Sequence, residues 1–412
     1  MTTHASKDVV SARLPTSYKV WLAGAMGSQL GDAALYFALG WAASAHGGSA
    51  AGLVLSAIAL PRTVLLLVGG AVGDRLGARP VMIMGDAVML FVSAALGVSV
   101  WRWGTPVVLL VAAALVIGAV DAFYLPSSGS MPRRLVADDL VPRALALRQT
   151  GSQIITLVGG PLGGVLVAVA GLAAAALTDS VTFAMVLVVL ITIRPGFDVS
   201  ATGHRRNILR EAFDGLRVAM TTAGLRPALL LVGGAAGFIL PVTSILLPLL
   251  ARSHGWGAGA AGLAVGALAV GTLSVTVIVA RTGLRPRPAT TALCGLLVTA
   301  AGETALALSP NVGAAVAGAL AMGAGTGIFT THLGPMLLTA APPSHLSRIQ
   351  SLLSLVQSSA LLVSNNALGN LTRLIQPGPT ILVCAGLLVG CDVMGFCAPS
   401  LRAATRPRSR TQ

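Results

Sequence analysis

The stretch GAVGDRLGARP, residues 70–80, lies between two long apolar segments and decides how the whole chain is interpreted. It places one aspartate, two arginines and three glycines in a single short turn. Charged side chains are costly in hydrocarbon, so this turn belongs at the water boundary of a membrane. Glycine supplies the positive φ and the close backbone approach that a tight turn between helices needs. The stretch therefore predicts two spanning helices joined by a charged turn.

The composition extends this prediction to the whole chain. Of its 412 residues, 55% are hydrophobic and 10% are charged, whereas about 25% of residues are charged in a typical soluble domain. A spanning helix needs about 20 mostly apolar residues, and the chain holds twelve such stretches. The sequence thus predicts an all-α polytopic membrane protein with spans at 18–45, 49–74, 80–101, 106–130, 143–170, 171–194, 227–251, 257–280, 287–309, 311–337, 346–371 and 376–398.

The net charge of +14 is distributed unevenly along the chain. With both termini placed in the cytoplasm, all but five of the 27 Lys and Arg residues fall in cytoplasmic segments. This asymmetry follows the positive-inside rule, so topology accounts for the basic excess and we expect no nucleic-acid partner. The five exceptions are Arg102, Arg252 and Arg373 in outer loops and Arg62 and Arg148 within spans.

The sequence offers little for metal or enzyme chemistry. Its four cysteines lie inside predicted spans and show no metal-binding spacing with histidine, so we interpret them as packing residues. A membrane enzyme would need clustered His, Cys or paired acids at one boundary, and the sequence lacks such a cluster. We therefore expect no metal, no cofactor and no catalytic residues.

The chain also contains a weak internal repeat, in which several positions recur at nearly the same offset. The repeat predicts two pseudo-symmetric six-helix bundles at residues 18–194 and 227–398. A 1–17 segment precedes them, a 195–226 linker with an amphipathic helix joins them, and a basic 399–412 tail follows. The recurring pairs are Arg75 and Arg281, Gly77 and Gly283, Arg79 and Arg285, Gly118 and Gly323, Arg143 and Arg348, and Gly164 and Gly369, whereas Asp74 recurs as Ala280.

The charged turn resembles a known signature. Gly70, Asp74, Arg75, Gly77 and Arg79 fit the G-x-x-x-D-R-x-G-x-R motif of the major facilitator superfamily, which joins transmembrane helices 2 and 3 on the cytoplasmic side. The resemblance implies that these residues form a gating cluster that holds the two halves together when the transporter faces outward. The alternative is a basic turn that sets topology without gating.

Further segments resemble the drug:proton antiporter branch that contains bacterial macrolide and enterobactin exporters. They are SQLGD at 28–32, VPRALA at 141–146 and the segment 179–183. In addition, GGPLGG at 159–164 resembles the helix 5 signature of exporters, carried here by Gly160, Pro161, Gly163 and Gly164, with one residue fewer after the proline. The alternative for this last stretch is a glycine-rich packing seam.

Ionisable residues inside a membrane are functional candidates by default. Asp32, near the middle of span 1, is either the proton-coupling acid or a buried partner of Arg62, and the two roles are compatible. Asp121 in span 4 either binds a cationic substrate or pairs with Arg148, and we favour the pair. In the proton-coupling group that we expect, Asp32 is the coupling acid and Arg62 and Asp121 lie around it.

The resemblance places helices 1, 4, 7 and 10 around a central cavity. Its expected lining is Gln29, Asp32, Tyr36, Asp121, Phe238 and His332. A lone histidine in a helix is more often a hydrogen-bonded packing residue, and that alternative stays open for His332. We expect structural roles for Asp86, Asp179 and Asp392. The role of Glu303 stays open, because the second half has no intramembrane basic residue that could pair with it.

The resulting hypothesis is a monomeric transporter of the bacterial inner membrane. It would export a small organic molecule, such as a drug, natural product or siderophore, in exchange for protons, with the proton gradient in place of a cofactor. The alternative is a proton symporter that imports a small nutrient or osmolyte, because a fold does not decide direction.

Overall fold

The computed structural model describes residues 14–193, 225–283, 285, 287–340 and 346–398. These residues contain helices and no strand. The predicted linker helix, most of the predicted 1–17 segment and all of the predicted 399–412 tail fall outside the described residues. The helices are α1 Thr16–Ser44, α2 Gly48–Leu76, α3 Ala78–Trp103, α4 Val107–Leu135, α5 Val141–Thr192, α6 Leu225–Pro241, α7 Leu247–Ser253, α8 Ala258–Thr282, α9 Pro288–Ala307, α10 Val312–Ala340, α11 Leu346–Ile375 and α12 Pro377–Cys397.

The longest helix, α5, is two crossings joined at a break. Its 52 residues are interrupted at Gly171, where φ is 73°, a left-handed value that glycine adopts without a steric penalty. The Tyr18 hydroxyl donates to the Ala144 carbonyl near the start of α5, and Arg79 donates to the Leu190 carbonyl near its end. Because Tyr18 and Arg79 begin α1 and α3, both ends of α5 lie at one end of the molecule and the chain reverses at Gly171.

The predicted spans coincide with these helices. Nine segments of the described chain are long and apolar enough to cross a membrane, with α5 counted once. The break in α5 divides one of them into two crossings. The more polar helices α1 and α11 complete the set of twelve, and a π-helical segment at Val242–Leu246 joins α6 to α7 within the seventh. The all-α, twelve-span fold class is confirmed for the described residues.

Glycine contacts reveal the expected relation between the two halves. Gly118 of α4 packs against the backbone of Ile58 in α2, and its repeat partner Gly323 of α10 packs against the backbone of Leu268 in α8. The turns also match, since Gly77 has a φ of 89° and Gly283 a φ of 81°. The same local packing thus recurs at repeat-related positions, as a pseudo-twofold arrangement requires.

The two halves meet at the end of the molecule that is remote from the Gly77 turn. We call this the distal end; it contains the loop 45–47 and the break in α5. At the distal end α2 packs against α11, and α5 packs against α8. The repeat-related glycines Gly164 and Gly369 lie in these two interfaces. Gly164 of α5 packs against Gly262 of α8, and Gly369 of α11 packs against Gly52 of α2. The structure is therefore closed at its distal end.

Candidate functional site

The acids of the first half surround the middle of α1. Asp32 is partly accessible to solvent and accepts no hydrogen bond from a described residue. One turn further along α1, the Tyr36 hydroxyl donates to Asp121 Oδ2 of α4 over 2.7 Å. Asp121 and Tyr36 are also partly accessible. Two carboxyl groups and a phenol thus lie on neighbouring helices with access to water. The Asp121 carboxyl accepts a hydrogen bond from Tyr36, whereas the Asp32 carboxyl accepts none from a described residue.

Arg62 of α2 interacts electrostatically with Asp121, the carboxyl that is hydrogen-bonded to Tyr36. Its positive charge acts on Asp121 and on Tyr36. The charges that act on Asp32 are instead the carboxylates of Asp179, Asp121 and Asp86. Electrostatically, Arg62 is therefore grouped with Asp121, and no cation among the described residues acts on Asp32.

Arg148 has partners other than the one expected. One of its terminal nitrogens donates to Ser128 Oγ over 3.2 Å, and the guanidinium lies 5.9 Å from the centre of the Trp21 ring. The favoured Asp121–Arg148 pair is thus replaced by Asp121–Tyr36. The reason is rotational: successive residues of a helix point about 100° apart, so a shared depth in the membrane does not bring two side chains together.

The other residues expected around the cavity lie in different surroundings. Gln29 accepts a hydrogen bond from the Ser152 hydroxyl over 3.0 Å and so connects α1 to α5. Phe238 of α6 is half-buried against the core. His332 of α10 is only 2% exposed, its Nδ1 lies 2.9 Å from the Ile328 carbonyl, and its Nε2 is enclosed. In this conformation His332 is a packed side chain.

Two further acids of the first half are fully buried behind α1. Asp179 accepts a hydrogen bond from the Ser93 hydroxyl over 2.7 Å. Its other oxygen would lie 2.6 Å from a Cβ on Gly31, so this carboxyl packs directly against α1 next to Asp32. Neither oxygen of Asp86 meets hydrogen-bond geometry with a described residue, although Tyr124 lies beside it.

The acids of the second half are more isolated. Glu303 is fully buried, and neither of its oxygens has a hydrogen-bond partner among the described residues. Asp392 is 1% exposed, with one enclosed oxygen that lacks a partner. No cation of the described chain acts on either carboxyl. These acids therefore lie in the packed interior, away from accessible space.

The charged turn is only partly described. Gly77 adopts the left-handed conformation that a turn between α2 and α3 requires, and Arg75 is exposed. Arg79 donates to the Leu190 and Ile191 carbonyls, each over 2.9 Å, and so caps the end of α5. The side chain of Asp74 lies outside the described part of the structure, as does the environment of Gly70, so their gating role stays a prediction.

The glycine-rich stretch of α5 forms a contact between the halves. A Cβ on Gly164 would lie 2.7 Å from the Cα of Gly262. Gly160 lies against Val265, and Pro161 against Gly266. Gly163 faces the other way, towards α1. Small side chains thus let α5 and α8 approach closely at the distal end.

Polar side chains of α11 add to this interface. Asn366 donates to Ser56 Oγ over 2.7 Å, and the Ser49 hydroxyl donates to Asn370 Oδ1 over 2.9 Å. Both bonds cross between the halves. They explain why α11, although it spans the membrane, is among the least apolar helices of the described chain.

A third contact between the halves was not anticipated from the sequence. Arg252, at the end of α7, donates to Ser44 Oγ and to the Trp41 carbonyl, each over 2.8 Å. In the sequence, Arg252 stands out only as a basic residue of a predicted outer loop. Its rarity was the available signal, because few cations lie on that side of the protein.

Two further observations bear on the choice of site. The described residues contain no group of three or more His, Cys, Asp or Glu side chains that could hold a metal ion. A groove of about 420 Å³ lies between α9 and α12, but its lining is apolar except for Thr304, whose hydroxyl already bonds to Ala300. The groove offers few groups for recognition, so we place the candidate site at Asp32, Tyr36, Asp121 and Arg62.

Comparison with known proteins agrees with this architecture. No curated protein sequence matches the chain. Among solved structures, the fold is similar to the nucleoside transporter NupG, with a TM-score of 0.71 at 12% identity over 93% of this chain and 99% of that one. It is similar to a POT family transporter in complex with 5-aminolevulinic acid, with a TM-score of 0.74 at 11% identity over 94% and 97%.

A third similar structure is a bacterial homolog of the human lysosomal transporter Spinster, in an inward-facing and unoccupied conformation. Its TM-score is 0.73 at 15% identity, over 97% of this chain and 100% of that one. Identities this low show the fold alone. The sequence itself matches the Major Facilitator Superfamily over residues 21–365. The chain therefore belongs to the Major Facilitator Superfamily and is a membrane transporter, not an enzyme.

Proposed function

We propose that this transporter exports a small organic molecule across a bacterial inner membrane in exchange for protons. The observation that carries the proposal is Asp32, a partly accessible carboxyl in the middle of α1 with no hydrogen bond from a described residue and no cation of its own. Such a group is free to bind and release a proton. A carboxyl locked in an ion pair would resist that exchange.

The Tyr36–Asp121–Arg62 group supports a mechanism for coupling. Asp32 and Tyr36 lie one turn apart on α1, so a change of charge at Asp32 acts on a helix that is bonded to α4 through Tyr36. A proton on Asp32 removes one of the negative charges that face each other across α1 and α4. Release of that proton restores the negative charge, and a cationic substrate bound in its place neutralises the charge again.

The closed distal end supports alternating access by rocking of one half against the other. If the basic turns lie in the cytoplasm, as the charge asymmetry indicates, the closed end is the outer one. The described conformation is then the inward-facing state, in which Asp32 would exchange its proton with the cytoplasm. The Asp74–Arg75 turn would hold the opposite end together after the transporter switches.

The main alternative is a symporter that imports a small nutrient. We retain this alternative because two similar structures are a nucleoside transporter and a POT family transporter in complex with 5-aminolevulinic acid. The nucleoside and the 5-aminolevulinic acid are cargo or ligands of those proteins, and a shared fold does not transfer cargo or direction. A protonatable acid in the site serves either mechanism.

A liposome experiment distinguishes the two directions of coupling. We would reconstitute the protein and measure uptake of a macrolide antibiotic and of ethidium under opposite pH gradients, with a trapped pH dye to follow protons. Antiport predicts accumulation when the lumen is acidic and loss of accumulation when an ionophore collapses the gradient. Accumulation driven by an acidic exterior would show symport, and uptake that is indifferent to both gradients would show that protons are not coupled.

A further inference from the structure

The distal contact at Arg252 joins the two halves through one side chain. Its Nε donates to Ser44 Oγ over 2.8 Å, and a terminal nitrogen donates to the Trp41 carbonyl over 2.8 Å. The guanidinium carbon lies 4.2 Å from the centre of the Trp41 ring, close enough for a cation–π interaction. We call Arg252, Trp41 and Ser44 the distal latch.

The partners of Arg252 are unusual because none is a carboxylate. The thirteen acids of the sequence all lie outside the loops of this end, so an ion pair across the distal loops is not available there. A backbone carbonyl, a hydroxyl and an aromatic face hold the guanidinium instead. These contacts have defined geometry but lack the strength of a bidentate ion pair, which suits a contact that must break in every cycle.

The helix that carries Arg252 is connected to the rest of its span by a break in regular structure. The π-helical segment Val242–Leu246 precedes α7, and the Leu247 amide bonds to the Val242 carbonyl five residues back. Pro248 has no N–H to offer the Ser244 carbonyl. A Cβ on Gly40 of α1 would lie 2.9 Å from that carbonyl oxygen, so the break itself packs against the other half.

We propose that Arg252 is a gate residue of the transport cycle: it holds α7 against the end of α1 in the closed state, and α7 moves about the π-helical segment when the latch releases. π-Helical segments often mark functional positions, and this one lies directly before the latch. The inference rests on the alternating-access cycle proposed above. It does not depend on the substrate or on the coupled ion.

The test measures closure of the distal end directly, without substrate or a proton gradient. In a background without the four native cysteines, S49C and N370C report closure by their rate of disulfide formation, since the side chains they replace are bonded across the halves over 2.9 Å. Arg252→Ala should slow this cross-link about tenfold or more, because hydrogen bonds from a charged group and a cation–π contact are lost together.

Arg102→Ala is the matched control. Arg102 is exposed on the same end of the protein, in the last turn of α3, so its loss changes the local charge equally without touching the latch. Arg252→Lys should be intermediate, since it keeps the charge but not the planar fork. Ser44→Ala and Trp41→Phe should each slow cross-linking less than Arg252→Ala does.

Two results would overturn the proposal. One is an Arg252→Ala variant that cross-links at the rate of Arg102→Ala. The other, decisive even if Arg252→Ala does not fold, is that Ser44→Ala and Trp41→Phe both leave the rate unchanged. Because transport is not the readout, failure of the latch and failure of proton-coupled export are separate outcomes.

Discussion

The two halves share a helical plan but treat their acids differently. In the first half, Asp32 is partly accessible, Asp121 is bonded to Tyr36 over 2.7 Å, and Asp179 is bonded to Ser93 over 2.7 Å. In the second half, Glu303 has no hydrogen-bond partner among the described residues and is fully enclosed. The repeat therefore preserved helix packing, seen in Gly118 and Gly323, without preserving the polar chemistry.

The difference between the halves indicates where we expect proton coupling to occur. A group that takes up and gives back protons needs access to water and a neighbour that responds to its charge. The first half offers both around α1 and α4. In the second half the acids are buried in the packed interior. The motif acid Asp74 is also replaced by Ala280 at the repeat-related position, so this half has fewer groups suited to proton coupling. We therefore expect variants of Asp32 and Asp121 to impair transport and variants of the second-half acids to be tolerated.

The largest effect is expected for Asp32→Asn. The amide keeps the shape of the side chain but cannot take up a proton, so transport driven by a pH gradient should fall to background while the protein still inserts and folds. Asp32→Glu should retain part of the activity. Gradient-driven uptake in liposomes measures both. Normal rates in Asp32→Asn would make Asp32 structural and move the coupling role to Asp121 or Glu303.

A smaller loss is expected when the Tyr36–Asp121 hydrogen bond is removed. A hydrogen bond to a charged group contributes about 1.5–3 kcal/mol, so Tyr36→Phe should slow transport roughly tenfold if that bond forms during the rate-limiting step. Asp121→Asn and the double variant complete a thermodynamic cycle. If the two effects simply add, the bond does not contribute to transport. The hydrogen-bonded acid of the first half would then be no more important for transport than the acids of the second half.

The glycine interfaces provide a test in which the halves should behave alike. Gly164→Ala places a methyl group 2.7 Å from the Cα of Gly262, and Gly369→Ala places one 2.5 Å from the Gly48 carbonyl oxygen. Overpacking of this kind costs about 1–3 kcal/mol, so each variant should slow S49C–N370C cross-linking to a similar extent. Gly129→Ala is the control, since nothing lies within 4 Å of its added methyl. Unequal effects would break the pseudo-twofold comparison.

The smallest effect is expected for Glu303→Gln. The amide preserves the volume of a side chain that makes no ion pair in the described structure, so transport should change by less than about twofold, within the range of conservative substitutions. The same liposome assay used for Asp32→Asn measures it. A severe loss of gradient-driven uptake in a well-folded Glu303→Gln variant would show that both halves take part in coupling.

Some features of the candidate site were predictable from the sequence, and others were not. The spans followed from uninterrupted apolar length, and the candidate acids Asp32 and Asp121 followed from their positions inside spans 1 and 4. The partner of Asp121 did not follow, because a partner depends on how each helix is rotated about its own axis. The enclosed position of His332 did not follow either, since its place in span 10 is compatible with several orientations.

The class of this protein follows from its amino-acid sequence: apolar length, basic asymmetry and a duplicated glycine turn are local properties that require twelve spans in two related halves. Tertiary packing alone decided which charges meet, which end of the molecule is closed and that Arg252 bridges the halves over the end of α1. These outcomes arise from contacts between residues distant in the chain, 85 positions apart for Tyr36 and Asp121 and more than 200 for Arg252 and its partners. At such distances small rotations and slides of whole helices select the partner. No local pattern in the chain encodes such a choice.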